Sequence, residues 1–218
     1  MPVRPFVCFV RLMNRADEDF ICHPSGCRYY TLPANLAHPL PESISFDEGA
    51  MIEPLAVGVH SVGTLANVRP GQVVAVFGAG PVGLLAAAVA KALGAKRVVV
   101  VGASRVSSPF SSSSRYSANP LCTLPLDINQ QRLDFASTYA ATDVFLPPAP
   151  QPSEPRIEFS KRATLALQEK LSIPARGPGA VDVVIEASGA EVCIQMAFYL
   201  GEYLARAFVL STHDETGI

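Results

Sequence analysis

A glycine-rich turn between an apolar strand and an apolar helix constrains the fold of this chain more than any other feature. The predicted strand is Val73–Phe77, residues 78–83 have the spacing G-x-G-x-x-G, and an apolar helix follows over 84–93. A second valine-rich strand is predicted at 97–101. The turn therefore has the strand–helix–strand context that a dinucleotide site requires.

Each glycine of the turn has a physical reason in such a site. Gly78 permits the sharp bend off the strand, and Gly80 has no side chain to keep a pyrophosphate from the backbone. Gly83 lets the helix pack close to the sheet, and the amides at the start of the helix then face the phosphates. The alternative is a turn with only a structural role, but the complete context favours dinucleotide binding.

The composition excludes several classes of protein. The 218 residues are 49% hydrophobic and 17% charged, with a formal net charge of −2. A globular α/β core is expected, and a nucleic-acid or anionic-membrane partner is not. No transmembrane span or clear signal peptide is recognisable, so we expect a cytoplasmic protein. Five scattered cysteines argue against a disulfide framework; Cys22 and Cys27 are interpreted as free thiols in a loop rather than a metal knuckle.

Strands and helices alternate along most of the chain. Helices are predicted at 46–60 (in two pieces separated near Pro54), 127–139, 159–171 and 191–200, and strands at 28–32, 142–146 and 181–186. Leu133, Phe135 and Ala136 are expected to face the sheet. The pattern predicts an α/β fold with a doubly wound parallel sheet, whose ligands bind beyond the carboxyl ends of the strands. One cleft should then gather the glycine turn, the end of the second strand, and Ala187, Ser188 and Gly189.

Several longer motifs surround the glycine turn. They are Glu-Pro-Leu-Ala-Val-Gly-Val-His at 53–60, Arg-Pro-Gly-Gln at 69–72, and the turn with its flanks at 74–85. Together they resemble the polyol branch of the zinc-containing medium-chain dehydrogenase/reductase family. Residues 132–148 and 186–195 are similar to the fungal xylitol dehydrogenases (D-xylulose reductases) of that branch.

The resemblance implies a domain organisation and a reaction. Residues 1–61 would be a remnant of an N-terminal GroES-like catalytic domain with its connecting helix. Residues 62–218 would be an incomplete NAD-binding Rossmann domain. The implied activity is the NAD-dependent oxidation of a polyol to a ketose, of the xylitol-to-D-xylulose type, with zinc polarising the substrate oxygen. Members of the family form homo-oligomers, an expectation that is doubtful for a truncated chain.

Individual site residues are also implied by the resemblance. Glu53 matches a glutamate beside the catalytic zinc and is the candidate catalytic and metal-site residue. Asp127 and Arg132 match the acid that holds the adenosine ribose and the arginine near the adenine. Val82 matches a position that lines the cofactor cleft, with Pro81 beside it in the same turn. His60 is expected to be packed or hydrogen-bonded at the domain junction.

The chain departs from the family pattern at three places. It has no Gly-His-Glu segment, and Glu53 alone cannot hold a zinc ion, which needs three protein ligands. Residues 102–126, rich in serine, interrupt the junction between the second strand and Asp127, as a retained intron or a surface loop. After about residue 200 the expected glycine turn and strand are missing, so the domain is expected to be truncated.

These departures leave alternatives open. The chain is either a polyol dehydrogenase or a catalytically inactive NAD-binding fragment that lacks the zinc ligands. Asp127 with Arg132 favours NAD, because a carboxylate repels a 2′-phosphate; Gly102 to Arg105 at the strand end would favour NADP if the insert is ordered. Truncation near residue 200 would remove the later strands and leave an unpaired apolar edge on the sheet, which predicts poor solubility.

Overall fold

The structure is a computed structural model that describes residues 6–8, 37–102, 130–201 and 206–209, with only the backbone at 6–8, 37 and 206–209. The predicted strand at 28–32, Cys22, Cys27, Asp127 and nearly all of the insert lie outside these ranges. The chain divides into two compact units, Met1–Ala56 and Val57–Ile218. The division falls a few residues before the predicted boundary at 61.

The first unit contains an antiparallel strand pair and a helix. Strands β1 (Phe6–Cys8) and β2 (Ala37–Pro39) pair with Val7 opposite His38. Helix α1 (Phe46–Ala50) begins with a capping box, in which Ser45 and Glu48 each accept a hydrogen bond from the other's backbone amide. The prediction that residues 1–61 are a GroES-like remnant stays a prediction.

The predicted helix break near Pro54 is wrong. The break is at Met51, and helix α2 (Ile52–Val59) contains Pro54 in its first turn. Proline is tolerated there because the first amides of a helix have no acceptor inside the helix. The helix then continues as a π-helical segment, His60–Leu65, in which His60 is exposed rather than packed.

The second unit holds the remaining strands and helices. In chain order after the π-helical segment they are β3 (Val73–Phe77), α3 (Pro81–Ala92), β4 (Arg97–Val101), α4 (Gln130–Tyr139), β5 (Asp143–Phe145), α5 (Arg156–Leu171), β6 (Val183–Glu186), α6 (Glu191–Leu200) and β7 (Arg206–Val209). The strands are rich in valine, which suits a pleated buried surface, whereas α3 is rich in alanine, the strongest helix former.

The five strands form one parallel sheet in the order β5-β4-β3-β6-β7. The central strand β3 pairs with β4 on one side and β6 on the other, so that Phe77 lies opposite both Val101 and Glu186. From β3 the chain adds β4 and β5 on one side of the sheet and then returns to add β6 and β7 on the other side, so the order of strands reverses between β3 and β6. This reversal is the switch point at which doubly wound sheets bind ligands, and the predicted fold class is confirmed.

Side chains of the sheet alternate between two apolar layers. On one face Val73, Ala75 and Phe77 pack with residues of α5 and α6; on the other Val74 and Val76 pack with α3, α4 and the π-helical segment. Leu133 and Ala136 of α4 are buried as predicted, but the prediction for Phe135 is wrong. Phe135 is 54% exposed because it lies two positions from the buried Leu133, and positions two apart on a helix point in different directions. Its ring stacks on that of Tyr139, with 5.4 Å between the ring centroids.

The tail after residue 200 also differs from the prediction. Backbone 206–209 forms the strand β7, parallel to β6, with Val183 opposite Arg206. The parallel edge of β6 has backbone donors and acceptors to pair, and the crossover through α6 brings the chain back beside it. Strand β6 is therefore not the unpaired edge that truncation near residue 200 was expected to leave, and the solubility prediction stays a prediction. In the part of the chain that the structure describes, every helix falls short of the length and apolarity that a membrane span needs.

Candidate dinucleotide-binding site

Two strand-to-helix turns meet at the carboxyl edge of the sheet, at the switch point. The first turn joins β3 to α3 and contains the glycines of the predicted motif; the second, residues 187–190, joins β6 to α6. Because Phe77 and Glu186 are paired residues at the ends of adjacent strands, the two turns start side by side. The sequence predicted this meeting of 78–83 with 187–189.

Gly78 is the point of contact between the two turns. Its backbone has φ +106°, which residues with a Cβ rarely adopt, and its amide donates to the carbonyl of Val101, 2.8 Å away. A Cβ placed on Gly78 would lie 3.0 Å from the carbonyl carbon and oxygen of Ala187 and 3.1 Å from the Ser188 nitrogen. The turns are therefore packed backbone against backbone, with no room for a side chain.

Gly80 has open space where a side chain would be. It is the N-cap residue of α3 and has an extended backbone conformation. No side-chain hydrogen bond caps the helix at this position. Among the described residues, no atom outside its chain neighbours and its own helix backbone lies within 4 Å of a Cβ built on it. Pro81 takes the first helical position, where its missing amide costs nothing. The first-turn amides after it, at half-buried Val82 and at Gly83, have no acceptor inside the helix and form a group of donors for an anion.

Gly83 packs against the start of its own turn. A Cβ on Gly83 would overlap the carbonyl oxygen of Gly78 and lie 3.0 Å from the Gly78 carbonyl carbon. The predicted reason for this glycine, close packing of helix on strand, is thus visible in the geometry. The three glycines differ: Gly78 and Gly83 are required for packing, and only Gly80 faces free space.

The second turn is organised around a buried carboxylate. Glu186 is 1% exposed, and its Oε1 accepts hydrogen bonds from the Ser188 amide at 2.8 Å, the Ser188 hydroxyl and the Gly189 amide at 3.1 Å. The Ser188 hydroxyl oxygen in turn accepts from the Ala190 amide at 3.2 Å. The amides at the start of this turn are therefore used within the protein.

Cys193 lies beneath the second turn, as the third residue of α6. It is 1% exposed, and burial raises the pKa of its thiol to about 11, although a hydrogen bond with Ser188 acts in the opposite direction. The negative charge of Glu186 adds to the increase in this pKa. The side chain is thus a neutral thiol under ordinary conditions, not a nucleophile.

Sequence reasoning did not assign a role to Glu186. A useful signal was present: an acidic residue ends an otherwise apolar strand and is followed at once by Ser-Gly. A charge at the end of a fully buried strand must be paired or hydrogen-bonded, and the nearest donors are the amides of the turn that follows.

The predicted ribose and adenine contacts are only partly described. Arg132 lies on α4 with its side chain exposed, whereas Asp127 is outside the described ranges, so the pair stays a prediction. At the end of β4, a Cβ on Gly102 would lie 3.2 Å from Leu133 Cδ1 and 3.3 Å from Leu146 Cδ1. This end of the strand is closely packed.

The described residues do not fit a zinc ion. Glu53 is the second residue of α2, in the first unit, and its side chain is exposed. Among the described residues no three His, Cys, Asp or Glu side chains come together as a possible metal site. Since zinc needs at least three protein ligands, we derive no step through it, and the role of Glu53 stays a prediction.

Comparison with known proteins agrees with the fold. No protein-family model matches the chain. The chain is 42% identical over 173 residues to a protein of Emericella nidulans named "Probable D-xylulose reductase A"; the match covers 79% of this chain and 38% of that protein. The chain therefore spans well under half the length of this relative.

Solved structures share the fold at lower sequence identity. Galactitol-1-phosphate dehydrogenase from Escherichia coli superposes with a TM-score of 0.56 at 20% identity, over 84% of this chain and 41% of that one. Zinc-dependent alcohol dehydrogenase 2 from Streptococcus pneumonia gives a TM-score of 0.54 at 22% identity, over 82% and 40%. At these identities the likeness concerns the fold alone.

The predicted resemblance is thus confirmed: the chain is related in sequence to proteins named D-xylulose reductase, and its α/β unit shares the fold of zinc-dependent alcohol dehydrogenases.

Proposed function

We propose that this chain supplies the nucleotide-binding part of an NAD-dependent polyol dehydrogenase of the xylitol-to-D-xylulose type. The observation that carries the proposal is the first turn: the first amides of α3 have no acceptor inside the helix, and among the described residues nothing lies within 4 Å of a Cβ on Gly80. A pyrophosphate is the anion that such a turn at a switch point accommodates. The D-xylulose reductase name of the relative supplies the substrate class.

The residues divide the work of binding. The amides at Val82 and Gly83, with the positive end of the α3 dipole, would hold the diphosphate. Gly80 lets it approach the backbone, and the turn at 187–189 would form the opposite wall of the cleft. When bound, the nicotinamide supplies the hydride acceptor for the polyol carbon. These residues would bind and orient the cofactor, and they are not assigned the removal of the hydroxyl proton.

We propose NAD rather than NADP as the cofactor. Support comes from the sequence, where Asp127 and Arg132 follow the spacing of a ribose-binding acid and its arginine. A carboxylate there would accept hydrogen bonds from the ribose hydroxyls and repel a 2′-phosphate. Asp127→Asn should therefore reduce the preference for NADH over NADPH in a competitive titration, and an unchanged ratio would contradict this assignment.

A second candidate function is a dinucleotide-binding chain without catalytic activity. It is favoured by one observation: in the described ranges no three side chains could hold zinc. For either function we propose a cytoplasmic protein with a small polyol as its partner, no nucleic acid and no membrane. Homo-oligomer formation is proposed only for the dehydrogenase.

The binding proposal is tested by titrating the 218-residue chain with NADH and following cofactor fluorescence. The informative variant is Gly80→Ala, because the new methyl enters the space left for the pyrophosphate while touching nothing in the protein. We expect at least tenfold weaker binding, which is about 1.4 kcal/mol. Gly63→Ala is the matched control, since its Cβ would lie 3.9 Å from Leu93 Cδ1, in ordinary contact and away from the turn. Equal affinity of wild type and Gly80→Ala would refute the placement of the diphosphate.

Turnover separates the two candidate functions. Xylitol-dependent reduction of NAD is measured together with the metal content of the purified chain. Activity with one zinc per chain would establish the dehydrogenase, whereas NADH binding without turnover or zinc would leave the inactive binding chain.

A further inference from the structure

The buried carboxylate of Glu186 is a charged group at the switch point that the proposed function does not use. It lies at the last residue of β6, directly opposite Phe77, after which the first turn begins. Its hydrogen bonds to the Ser188 and Gly189 amides fix a turn in which Gly189 has φ +69°. The carboxylate thus determines the shape of residues 187–189.

The shape of that turn matters to the first turn. The Ala187 amide donates to the Phe77 carbonyl at 2.8 Å, and Ala187 and Ser188 lie against Gly78 at a distance that excludes a Cβ. A displacement of the second turn would therefore move the backbone that begins the glycine motif. Closely packed backbones transmit such shifts because there is no void to absorb them.

We infer that Glu186 is a positioning residue for the cofactor: by holding the second turn against Gly78, it fixes the distance between the two walls of the dinucleotide cleft. The inference rests on the proposed cofactor binding. It assigns to Glu186 an effect on cofactor affinity beyond its contribution to stability, although its side chain is not expected to touch the cofactor.

Glutamine cannot replace this carboxylate, despite its similar shape. Oε1 serves three donors, and Oε2 lies 3.2 Å from the Gly189 amide, which is a fourth contact. An amide side chain would place its NH2 group at one of these positions, facing a backbone N–H. Hydrogen bonds to a charged acceptor are also roughly twice as strong as neutral ones. Glu186→Gln should therefore loosen the second turn with little change in volume.

Asp182 provides a matched control at the other end of the same strand pair. Its Oδ2 accepts a hydrogen bond from the Val73 amide at 2.7 Å, so it too is a carboxylate that fastens backbone between β3 and β6. It lies at the amino edge of the sheet, away from both turns. Asp182→Asn should affect stability without affecting the cleft.

The experiment compares NADH affinity and melting temperature for the full chain as wild type, Glu186→Gln and Asp182→Asn, with binding measured well below the lowest melting temperature. We expect the dissociation constant of Glu186→Gln for NADH to rise at least tenfold. That of Asp182→Asn should stay within twofold of wild type, even if the melting temperature of Asp182→Asn falls as far as that of Glu186→Gln. An unchanged dissociation constant in Glu186→Gln, or increases that follow the melting temperature in both variants, would overturn the inference.

Ser188→Ala keeps the inference testable if Glu186→Gln does not fold. It removes one donor to the carboxylate and the acceptor for the Ala190 amide, and keeps the charge. A rise of about threefold in the dissociation constant is expected, and none would count against Glu186. Failure of wild type to bind NADH would refute the proposed function and the inference with it. Normal binding by wild type, Glu186→Gln and Ser188→Ala would refute the inference alone.

Discussion

The two turns at the switch point have similar surroundings but differ in what accepts the hydrogen bonds of their amides. Both follow a fully buried strand and lead into a helix without a side-chain N-cap hydrogen bond. At the first turn the first amides of α3 have no acceptor inside the helix, and no atom of the described residues lies within 4 Å of a Cβ on Gly80. At the second turn, the amides of Ser188 and Gly189 donate hydrogen bonds to Glu186, so the acceptor there is a carboxylate of the protein itself.

The difference shows which turn can receive a ligand. A helix start is a general anion site, and its presence at both turns would make either one a candidate for the phosphates. Since a buried carboxylate already accepts hydrogen bonds from the Ser188 and Gly189 amides, a second anion beside it would be repelled. The proposed diphosphate is therefore assigned to the first turn, and the second turn is assigned a role in shaping the cleft.

The strongest way to break this comparison is to fill the first turn from inside. In Gly83→Ala the new methyl would overlap the Gly78 carbonyl oxygen, which cannot move without pushing on Ala187. Overpacking against backbone costs about 3 kcal/mol, and we expect a loss of this size in the free energy of unfolding by urea. Gly80→Ala, with no atom in reach, should lose less than about 1 kcal/mol. Similar stabilities for the two variants would contradict the division between packing and binding glycines.

A second prediction uses pH to add a charge beneath the second turn. The pKa of Cys193 rises from its ordinary 9.0 to about 11 in the fold, so between these values the thiol ionises in the unfolded chain first. The unfolded state then binds fewer protons, and stability falls as pH rises through this window, by roughly 2–3 kcal/mol in total. Cys193→Ala should remove that part of the pH dependence.

The measurement is the free energy of unfolding of both proteins at intervals from pH 8 to 11. Other groups titrate in this range, so the informative quantity is the difference between wild type and variant. That difference should change steadily in favour of the variant above pH 9. Parallel curves would show that the thiol beneath the second turn is less buried than its 1% exposure indicates.

The first turn and its meeting with residues 187–189 were predictable from sequence, whereas the role of Glu186 in the second turn was not, for a physical reason. The spacing of Gly78, Gly80 and Gly83 reports local requirements, each within six residues of the others, and a helix with a strong apolar face follows. The arrangement around Glu186 depends on which strand lies beside β6, a matter of tertiary structure. The sequence showed an acid after an apolar run, but not that the run was central and buried on both faces.

The other differences have the same origin. Pro54 is a helix breaker in isolation, yet its position in the first turn of α2 depends on where the helix begins, at Ile52 after the break at Met51. Strand β7 forms because the edge of β6 has backbone groups with which it can pair. The sequence before residue 206 has no glycine turn that would indicate this strand. Helix α6, whose period is local, was predicted with the bounds that the structure shows.

The smallest expected effect tests whether the amino edge of the sheet is independent of both turns. Arg97 there donates from Nε and Nη2 to the two Asp143 carboxylate oxygens at 2.7 and 2.9 Å, and from Nη2 to the Leu171 carbonyl. The hydrogen bond from Arg97 holds the pKa of Asp143 below its ordinary value of 3.8. The pair therefore stabilises the fold above about pH 4, and this contribution is lost as pH falls through the lowered pKa. Asp143→Asn should cost about 1 kcal/mol at pH 7, because half-exposed ion pairs contribute little.

Two results are expected from this variant. The difference in unfolding free energy between wild type and Asp143→Asn should shrink as the pH is lowered below 4, since the wild-type carboxylate is then protonated as well. NADH affinity at pH 7 should equal that of wild type, because β4 lies between this ion pair and the carboxyl edge where both turns begin. Weaker NADH binding by Asp143→Asn at nearly unchanged stability would mean that the cleft responds to contacts anywhere on the sheet. Glu186 would then have no special position, and the contrast between the two turns would be one of packing alone.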